Sequence, residues 1–372
     1  MVSVMAQHVQ PTDVPKDRDF TAGVTRSFSC SYVGTTGDSK IDDSIMDLAR
    51  QIEGDGPNLC LLAEMMTTAV RISRGRSEEA DFKLMNRALK EMRITEEVFH
   101  PYRNCRKVSI YGSARTKPEE PEYQTTVQFA RRMREEGFMS VTGAGPGIMA
   151  AGNEGAGRDD SFGLNITLPF EASANEFIKG DPKLIDYDYF FTRKLAFVKE
   201  VDAAVGCPGG FGTMDEIFEA LTLIQTGKAT VYPIVLLDAP GGTYWKFWNQ
   251  FIEEHLQRLK LISDHDFALF KVTDDVEVAV AEIIGFYKNY HSYRYVGDKI
   301  SIRMKKELDK DVVVQLQKEF VDIMKSGEME QRGPLDTEKD EPALAGLPRL
   351  VFRHRRGSFG RLRMLIDAIN QA

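Results

Sequence analysis

The stretch Cys207-Pro-Gly-Gly-Phe-Gly-Thr-Met-Asp-Glu216 constrains the fold of this chain more than any other. A short apolar run, Asp202–Gly206, precedes it, and a helical pattern, Glu216–Gln225, follows it. This order predicts a strand, a glycine turn and a helix. Glycines carry no Cβ atom, so the backbone N–H groups of such a turn can approach a ligand closely. They would lie at the positive end of a helix, which is a ready anion site.

Two interpretations of Glu216 are open at this point. Thr213 and Glu216 fit the Thr-x-x-Glu capping box, in which the glutamate only closes the start of the helix. Alternatively, a phosphate group occupies the turn, and Glu216 faces the sugar that is attached to the phosphate. The choice between them depends on the rest of the chain.

Alternating elements from Cys105 onward predict an α/β fold. The predicted strands are Lys107–Tyr111, Phe138–Thr142, Phe162–Leu168, Asp202–Gly206, Val231–Asp238 and Leu269–Val272. Helical patterns separate them, which indicates a mostly parallel sheet with helices on both faces. Ligands of such sheets bind outside the carboxyl ends of the strands. Two further glycine loops, Gly112–Arg115 and Gly143–Gly147, fall at such ends, so Ser113, Gly145 and Gly147 are candidate ligand contacts.

The regions outside the sheet have a different composition. Residues 1–40 predict a disordered tail, and residues 41–100 predict a helical layer packed against the sheet domain of residues 101–290. The methionines on its apolar stripes are interpreted as core filler. Residues 291–372 form a C-terminal extension. We expect a charged helix within residues 301–329, a linker over 331–346, a strand at 350–352 and a helix at 359–369. We expect the basic run Arg353–Arg356 to be solvated surface, and a regulatory anion site is the less favoured alternative.

Composition excludes several classes of protein. A net charge of −8 argues against a general nucleic-acid binder. The four cysteines, at positions 30, 60, 105 and 207, have no metal-type spacing and are interpreted as reduced thiols of a cytoplasmic protein. No apolar run approaches the roughly 18 residues that cross a bilayer, and the N-terminus lacks the apolar region of a signal peptide.

The glycine loops do not complete a dinucleotide or NTP-binding motif. The third glycine of G-x-G-x-x-G would fall at Ile148 in one loop and at Asp215 in the other. The P-loop pattern also fails, because Ala229 follows Gly227-Lys228. No histidine lies near a glycine loop, which argues against a histidine-based triad and a histidine-ligated metal.

The sequence Thr192-Arg193-Lys194 breaks a rule of helix design. If Thr192 is the N-cap, two cations occupy the first helical turn, against the macrodipole. They could point into solvent or pair with Asp186 or Asp188. We favour the alternative, in which they face an anionic ligand at the same sheet edge, because rule-breaking charges concentrate at functional sites.

Arg193-Lys194 followed by Pro208-Gly-Gly-Phe-Gly-Thr-Met-Asp-Glu216 resembles the signature of the LONELY GUY (LOG) family, whose members are often mislabelled as lysine decarboxylases. Gly112-Ser-Ala-Arg115, Gly143-Ala-Gly-Pro-Gly-Ile-Met149 and Gly227 also match, in the style of the longer members. The resemblance covers residues 101–290, and the C-terminal extension goes beyond the short members.

The resemblance implies a Rossmann-like fold and a function. The family hydrolyses the N-glycosidic bond of nucleoside 5′-monophosphates to a free base and ribose 5-phosphate, without a metal or organic cofactor, as a homodimer or higher homo-oligomer. Carried over by motif, Arg193 and Glu216 resemble the catalytic pair. The residues that resemble ligand contacts are Lys194, Gly209, Gly210, Phe211, Gly212, Thr213 and Thr222. The family also has an acid upstream of the Arg-Lys pair, and Asn175-Glu176 is the nearest match here.

Three alternatives share parts of this pattern. A nucleotide-binding regulatory protein without catalysis would carry the same phosphate loops, so only turnover separates it from an enzyme. A true lysine decarboxylase would need Lys194 as a Schiff-base lysine of pyridoxal phosphate, a cofactor that nothing else in the sequence indicates. An NAD-dependent enzyme would need the missing third glycines.

Overall fold

The computed structural model describes residues 34–168, 174–338 and 341–372. The chain divides into two compact units between Glu91 and Met92. Of the predicted disordered tail, residues 1–33 lie outside the described residues. Its last two residues belong to the first helix, so the tail prediction is wrong there.

The unit before Met92 is helical. Its helices are α1 (Ser39–Glu53), α2 (Leu59–Arg74) and α3 (Glu79–Phe99), and α3 continues past Met92 into the second unit. The Asp38 carboxylate accepts hydrogen bonds from the N–H groups of Lys40 and Ile41, which fixes the start of α1. The three helices agree with the helical region predicted for residues 41–100, while its packing as a layer against the sheet stays a prediction.

The apolar stripes of these helices are less buried than their periodicity suggests. Ile45, Ala49 and Ala63 form a small core between α1 and α2. The remaining stripe residues are largely exposed, including Leu48, Ile52, Leu61, Met65, Phe82, Met85, Leu89 and Met92. A helix pair covers only the side chains along its line of contact. The interpretation of these methionines as core filler is therefore wrong.

Within the described part of the chain, seven parallel strands form the central sheet of the second unit. They are β1 (Lys107–Tyr111), β2 (Met139–Thr142), β3 (Ser161–Ile166), β4 (Leu184–Tyr187), β5 (Ala203–Gly206), β6 (Ile234–Leu237) and β7 (Phe270–Thr273). The predicted Rossmann-like α/β fold is confirmed. Strand β4 was not among the strands predicted from the sequence. It is an edge strand in which buried Ile185 and Tyr187 alternate with partly or fully exposed residues.

Strand order determines where a ligand can bind. The order is β4-β3-β2-β1-β5-β6-β7, so the chain changes direction across the sheet between β1 and β5. Lys107–Ser109 of β1 pair with β2, and Val108–Tyr111 pair with β5. Crevices at such a switch point are the usual ligand sites of open α/β sheets. The glycine loops after β1, β2 and β5 border this crevice.

Helices cover the sheet between successive strands. They are α4 (Pro121–Glu135), α5 (Ile148–Ala156), α6 (Phe190–Lys199), α7 (Phe211–Gln225), α8 (Tyr244–Phe251) and α9 (Val276–Phe286). Apolar strand residues such as Val108, Val141, Val205 and Val235 are completely buried beneath them. Both faces of a parallel sheet need this cover, which explains why the strand segments are mainly apolar.

The C-terminal extension contains a second sheet that the sequence did not reveal. Strands β8 (Tyr290–Val296) and β9 (Lys299–Met304), helix α10 (Lys310–Glu319), strands β10 (Met324–Arg332) and β11 (Arg349–His354) and helix α11 (Phe359–Gln371) follow α9. The antiparallel order is β10-β11-β9-β8. The charged helix predicted within residues 301–329 is α10, and the expected final strand and helix are also confirmed.

Buried charges explain why the sequence did not reveal this sheet as a whole. Arg303 of β9 and Arg349 of β11 are almost completely buried, and both contact the buried carboxylate of Glu338. The two contact distances are 2.8 and 3.4 Å. One face of this sheet therefore holds an ionic cluster where sequence patterns lead one to expect apolar residues.

The cysteines do not all carry free thiols. Cys105 and Cys207 are free, and burial raises the pKa of the Cys207 thiol to about 12. Cys60 is disulfide-bonded, so the prediction of reduced thiols is wrong for Cys60. Among the described residues, no helix is long and apolar enough to cross a bilayer.

Candidate active site

Backbone hydrogen bonds join the three glycine loops at the switch point. The N–H group of Ser113, after β1, donates to the carbonyl of Pro208, after β5, at 3.1 Å. The carbonyl of Ser113 in turn accepts from the N–H group of Ile148, after β2, at 3.0 Å. The loop after β1 therefore lies between the other two, and the predicted convergence of the three loops is confirmed.

Two glycines are required by this close approach. Gly147 has a φ of +67°, and a Cβ atom there would lie 2.3 Å from the carbonyl oxygen of Ser113. A Cβ atom at Gly209 would lie 2.2 Å from the Thr213 hydroxyl. Larger residues would push the loops apart.

The N-terminus of α7 is open to an anion. Gly210 is its N-cap and supplies no side-chain hydrogen bond. The first N–H groups of a helix have no intrahelical acceptor, and the macrodipole adds positive potential. Thr213 is the third residue of α7 and Glu216 the sixth, so the two residues cannot form a capping box. The capping interpretation of Glu216 is therefore wrong.

Helix α6 supplies the cations from its second turn. Tyr189 rather than Thr192 is its N-cap, and the Thr192 hydroxyl donates to the Tyr189 carbonyl at 2.9 Å. The predicted N-cap is wrong because two phenylalanines, Phe190 and Phe191, begin the helix earlier. The conflict of Arg193 with the macrodipole is weaker than predicted, since the effect falls off within one turn.

The Arg193 guanidinium contacts the Glu216 carboxylate. Nη2 of Arg193 lies 3.3 Å from Oε1 of Glu216, and the two side chains are only 11 and 15 % exposed. The rings of Phe190 and Phe197 flank the guanidinium at 5.4 and 5.6 Å. Nε of Arg193 is buried and has no hydrogen-bond partner among the described residues. Since unpaired buried donors are costly, this N–H group indicates an acceptor that a ligand would provide.

Burial raises the pKa of the Glu216 carboxyl to about 7. The Arg193 and Lys194 cations lower this pKa, while the Asp215 and Glu219 carboxylates raise it. A carboxyl group with a pKa near neutrality can exchange a proton with water or substrate at physiological pH. Glu216 is therefore suited to acid–base chemistry.

Lys194 is held by two carboxylates of α7. Its Nζ lies 2.6 Å from Asp215 and 3.1 Å from Glu219. Burial alone would lower the pKa of Lys194, but hydrogen bonds to both carboxylates outweigh burial and raise it. A Schiff-base lysine needs a depressed pKa, so this geometry does not fit the lysine decarboxylase alternative.

The other candidate contacts differ in how close they lie to the joined glycine loops. Ser113, Gly145, Gly147, Gly209, Gly210, Gly212 and Thr213 belong to the joined loops or to the start of α7. The Phe211 ring is 96 % exposed beside them. Thr222 lies on an exposed face of α7. Its position is nine residues beyond Thr213, or about 13 Å along the axis. The described residues do not bring Thr222 to the loops.

Two residues hold the glycine loops in place, and the sequence did not identify this role for either of them. The Asn175 amide nitrogen lies 3.0 Å from the carbonyls of Ala144 and Gly145, so Asn175 anchors the loop after β2. The Tyr244 hydroxyl donates to the Gly209 carbonyl at 2.6 Å. Neither contact leaves a local sequence signal, because each joins residues that are at least 30 positions apart.

One family model matches a part of the chain that includes the Arg193–Glu216 pair. Residues 146–283 match the family model described as "Possible lysine decarboxylase". No curated protein matches the sequence significantly.

Among solved structures, the chain is similar to a molybdenum cofactor binding protein from Rippkaea orientalis, with 17% identity over 47% of this chain and 93% of that chain and a TM-score of 0.35. It is also similar to the molybdenum cofactor carrier protein of Chlamydomonas reinhardtii, with 18% identity over 48% of this chain and 94% of that chain and a TM-score of 0.33. A third similar structure is DNA processing protein A of Helicobacter pylori, with 16% identity over 48% of this chain and 80% of that chain and a TM-score of 0.33. No functional statement follows from likenesses of this degree. The family match includes Arg193 and Glu216, and the segment that carries them belongs to the LOG-type family, often called possible lysine decarboxylase.

Proposed function

We propose that this protein hydrolyses the N-glycosidic bond of a nucleoside 5′-monophosphate, such as AMP or a cytokinin riboside monophosphate, to a free base and ribose 5-phosphate. One observation carries the proposal: buried Arg193, on α6, lies 3.3 Å from buried Glu216, on α7, the helix that begins at the switch point of the sheet. The family match supports a nucleotide-related reaction of this kind.

In this proposal, the 5′-phosphate binds the turn from Gly209 to Thr213. The open N-terminus of α7 offers N–H donors and positive potential, and the absence of side chains at Gly210 and Gly212 leaves room for phosphate oxygens. Binding the phosphate there orients the ribose toward Glu216, one and a half turns into the same helix. Lys194 and Ser113 are proposed as further contacts.

Glu216 is proposed to act on the sugar and on water. Cleavage of a glycosidic bond develops positive charge on the ribose ring, which a nearby carboxylate stabilises. Water attacks C1′ and gives a proton to Glu216, while the C1′–N bond breaks and its electron pair stays with the base. Glu216 then gives this proton to the departing base, which returns the carboxylate to its starting state. A pKa of about 7 suits this cycle.

Arg193 is proposed to stabilise negative charge. A guanidinium stays protonated and cannot serve as a general acid. Its unpaired Nε–H and its Nη2 contact with Glu216 are consistent with a bridge between the carboxylate and a ligand oxygen or the departing base. The net charge of the Arg193–Glu216 pair would then rise when Glu216 takes up a proton and fall when Glu216 gives the proton up.

The proposal includes partners and location. We propose that the protein needs no metal or organic cofactor, acts in the cytoplasm and forms a homodimer or higher homo-oligomer, without nucleic-acid or membrane partners.

A panel of nucleoside monophosphates tests the reaction. Each is incubated with the purified protein and scored by HPLC for free base and by an enzymatic assay for ribose 5-phosphate. The proposal expects equimolar products from at least one purine monophosphate. Nucleotide binding without any product would instead support the non-catalytic regulatory protein.

A further inference from the structure

Tyr244 makes a contact that the proposed reaction does not yet use. It is the first residue of α8, and its hydroxyl donates a hydrogen bond of 2.6 Å to the carbonyl oxygen of Gly209 in the turn after β5. Gly209 and Gly210 form a Gly-Gly peptide, which has the greatest freedom to rotate of any peptide unit. A side chain from another element therefore determines the orientation of this peptide.

Tyr244 itself is held firmly. Its ring packs edge-on against Trp245 with the ring centroids 4.9 Å apart, and Trp245 is completely buried. The backbone N–H group of Trp245 donates a hydrogen bond of 3.0 Å to the carboxylate of Asp238, a buried residue that follows β6. Burial also raises the pKa of the Tyr244 hydroxyl, so the hydroxyl remains a donor at neutral pH. The start of α8 thus connects the end of β6 to the turn after β5.

The direction of one carbonyl fixes the direction of the next N–H group. The Gly209–Gly210 peptide bond is trans, and in a trans peptide the C=O and N–H bonds point in opposite directions. When Tyr244 holds the Gly209 oxygen, the Gly210 N–H group must face away from Tyr244. The preceding peptide is fixed in the same way, because the Ser113 N–H group holds the Pro208 oxygen.

We propose that Tyr244 is a positioning residue of the anion site, whose hydroxyl turns the Gly209 carbonyl away from a bound phosphate and the Gly210 N–H group toward it. Without the hydroxyl, the peptide can rotate and present its carbonyl oxygen to the anion, which repels it. This inference deepens the proposed function, because it assigns a residue that prepares the phosphate end of the same site.

Binding of ribose 5-phosphate separates this inference from catalysis. Affinity is measured by calorimetry for the wild type and for Tyr244→Phe, with free ribose as the ligand that lacks the phosphate. We expect Tyr244→Phe to bind ribose 5-phosphate about tenfold more weakly. Tyr123→Phe is the matched control, because the Tyr123 hydroxyl donates to Glu154 at 2.8 Å, outside the joined loops. It should bind like the wild type.

Turnover provides the second readout. With a nucleoside monophosphate as substrate, Tyr244→Phe should raise KM about tenfold with a smaller change in kcat, while any turnover of the nucleoside without phosphate should be unchanged. Thermal melting of both variants checks that the fold is retained.

The outcomes distinguish the two claims. Wild-type affinity for ribose 5-phosphate in Tyr244→Phe overturns the inference, as does a wild type that does not bind ribose 5-phosphate. If the wild type binds it, Tyr244→Phe does not, and no nucleotide is cleaved, the positioning role holds and the hydrolase proposal fails. If Tyr244→Phe does not fold, hydrogen exchange of the Gly210 amide in the wild type decides: protection by ribose 5-phosphate supports the inference, and its absence overturns it.

Discussion

The guanidinium of Arg193 lies 3.3 Å from the carboxylate of Glu216, although the two residues are 23 positions apart and belong to different helices. Helices α6 and α7 flank strand β5, so the pair depends on two strand–helix connections having the right length. Burial of both side chains makes their charges strongly dependent on one another.

Replacement of Arg193 should reduce catalysis more than binding of the free sugar phosphate. Arg193→Ala is expected to lower kcat/KM for a nucleoside monophosphate by about a hundredfold or more, because the carboxylate and the ligand lose a shared donor. Arg193→Lys should recover little, since an ammonium group cannot donate in two fixed directions. Steady-state kinetics measures both effects, and the exposed Arg332→Ala serves as control. Equal activity of Arg193→Ala and the control would contradict the assigned role.

The raised pKa of Glu216 predicts that the site destabilises the fold at neutral pH. Between the ordinary pKa of 4.5 and the folded value of about 7, the unfolded chain releases a proton that the folded protein retains. Stability contributed by protonated Glu216 is thus complete below the ordinary pKa and lost as the pH rises through about 7. Glu216→Gln cannot ionise and should be more stable than the wild type at about pH 8, by up to about 3 kcal/mol.

Denaturant unfolding at several pH values measures this difference. The gap between Glu216→Gln and wild type should be small at about pH 5 and grow toward about pH 8. Glu119→Gln, at an exposed position, should show no such growth. A constant gap across this range would mean that Glu216 titrates normally.

The buried ionic cluster predicts a large stability loss in the C-terminal sheet. Glu338→Gln leaves the buried Arg303 and Arg349 without their common carboxylate. Breaking such a cluster costs about 3 kcal/mol or more. Thermal unfolding should show a clear decrease in Tm, whereas the exposed Glu328→Gln on β10 should leave Tm nearly unchanged. Similar melting curves for the two variants would show that the cluster contributes little.

Gly147→Ala should disrupt the junction of the loops. The substitution strains a backbone with φ of +67° and places a Cβ atom 2.3 Å from the Ser113 oxygen, at a cost of about 1–3 kcal/mol for the strain alone. Ribose 5-phosphate binding, measured by calorimetry, should fall with the Tm. Gly285→Ala in α9 is the control, because its Cβ would meet nothing within 4 Å. Unimpaired binding by Gly147→Ala would show that the junction is not needed for the site.

The central sheet and its glycine loops were predictable because their signals are local. Most of the strands are short and mainly apolar, and each glycine loop directly follows one of them, so the loops after β1, β2 and β5 could be placed at one edge without knowing the strand order. The order itself, and with it edge strand β4, depends on long-range pairing that no short window contains.

Other features depended on context that overrides local preference. Thr192 is a good N-cap in isolation, but the helix begins before it at Phe190. In β9 and β11, arginines occupy buried positions because Glu338 pairs with them, and a hydrophobic pattern cannot anticipate this. Tyr244 gave no signal because its function depends on Gly209, which lies 35 residues earlier.

Base release from AMP by the wild type and by Glu216→Gln tests the central claim most directly. Free adenine and ribose 5-phosphate are quantified over time under identical conditions, with ribose 5-phosphate affinity measured for both proteins. The account predicts equimolar products from the wild type and adenine release that is slower by roughly a hundredfold or more in Glu216→Gln. The two proteins should have similar affinity for ribose 5-phosphate. Wild-type rates of adenine release by Glu216→Gln would contradict it.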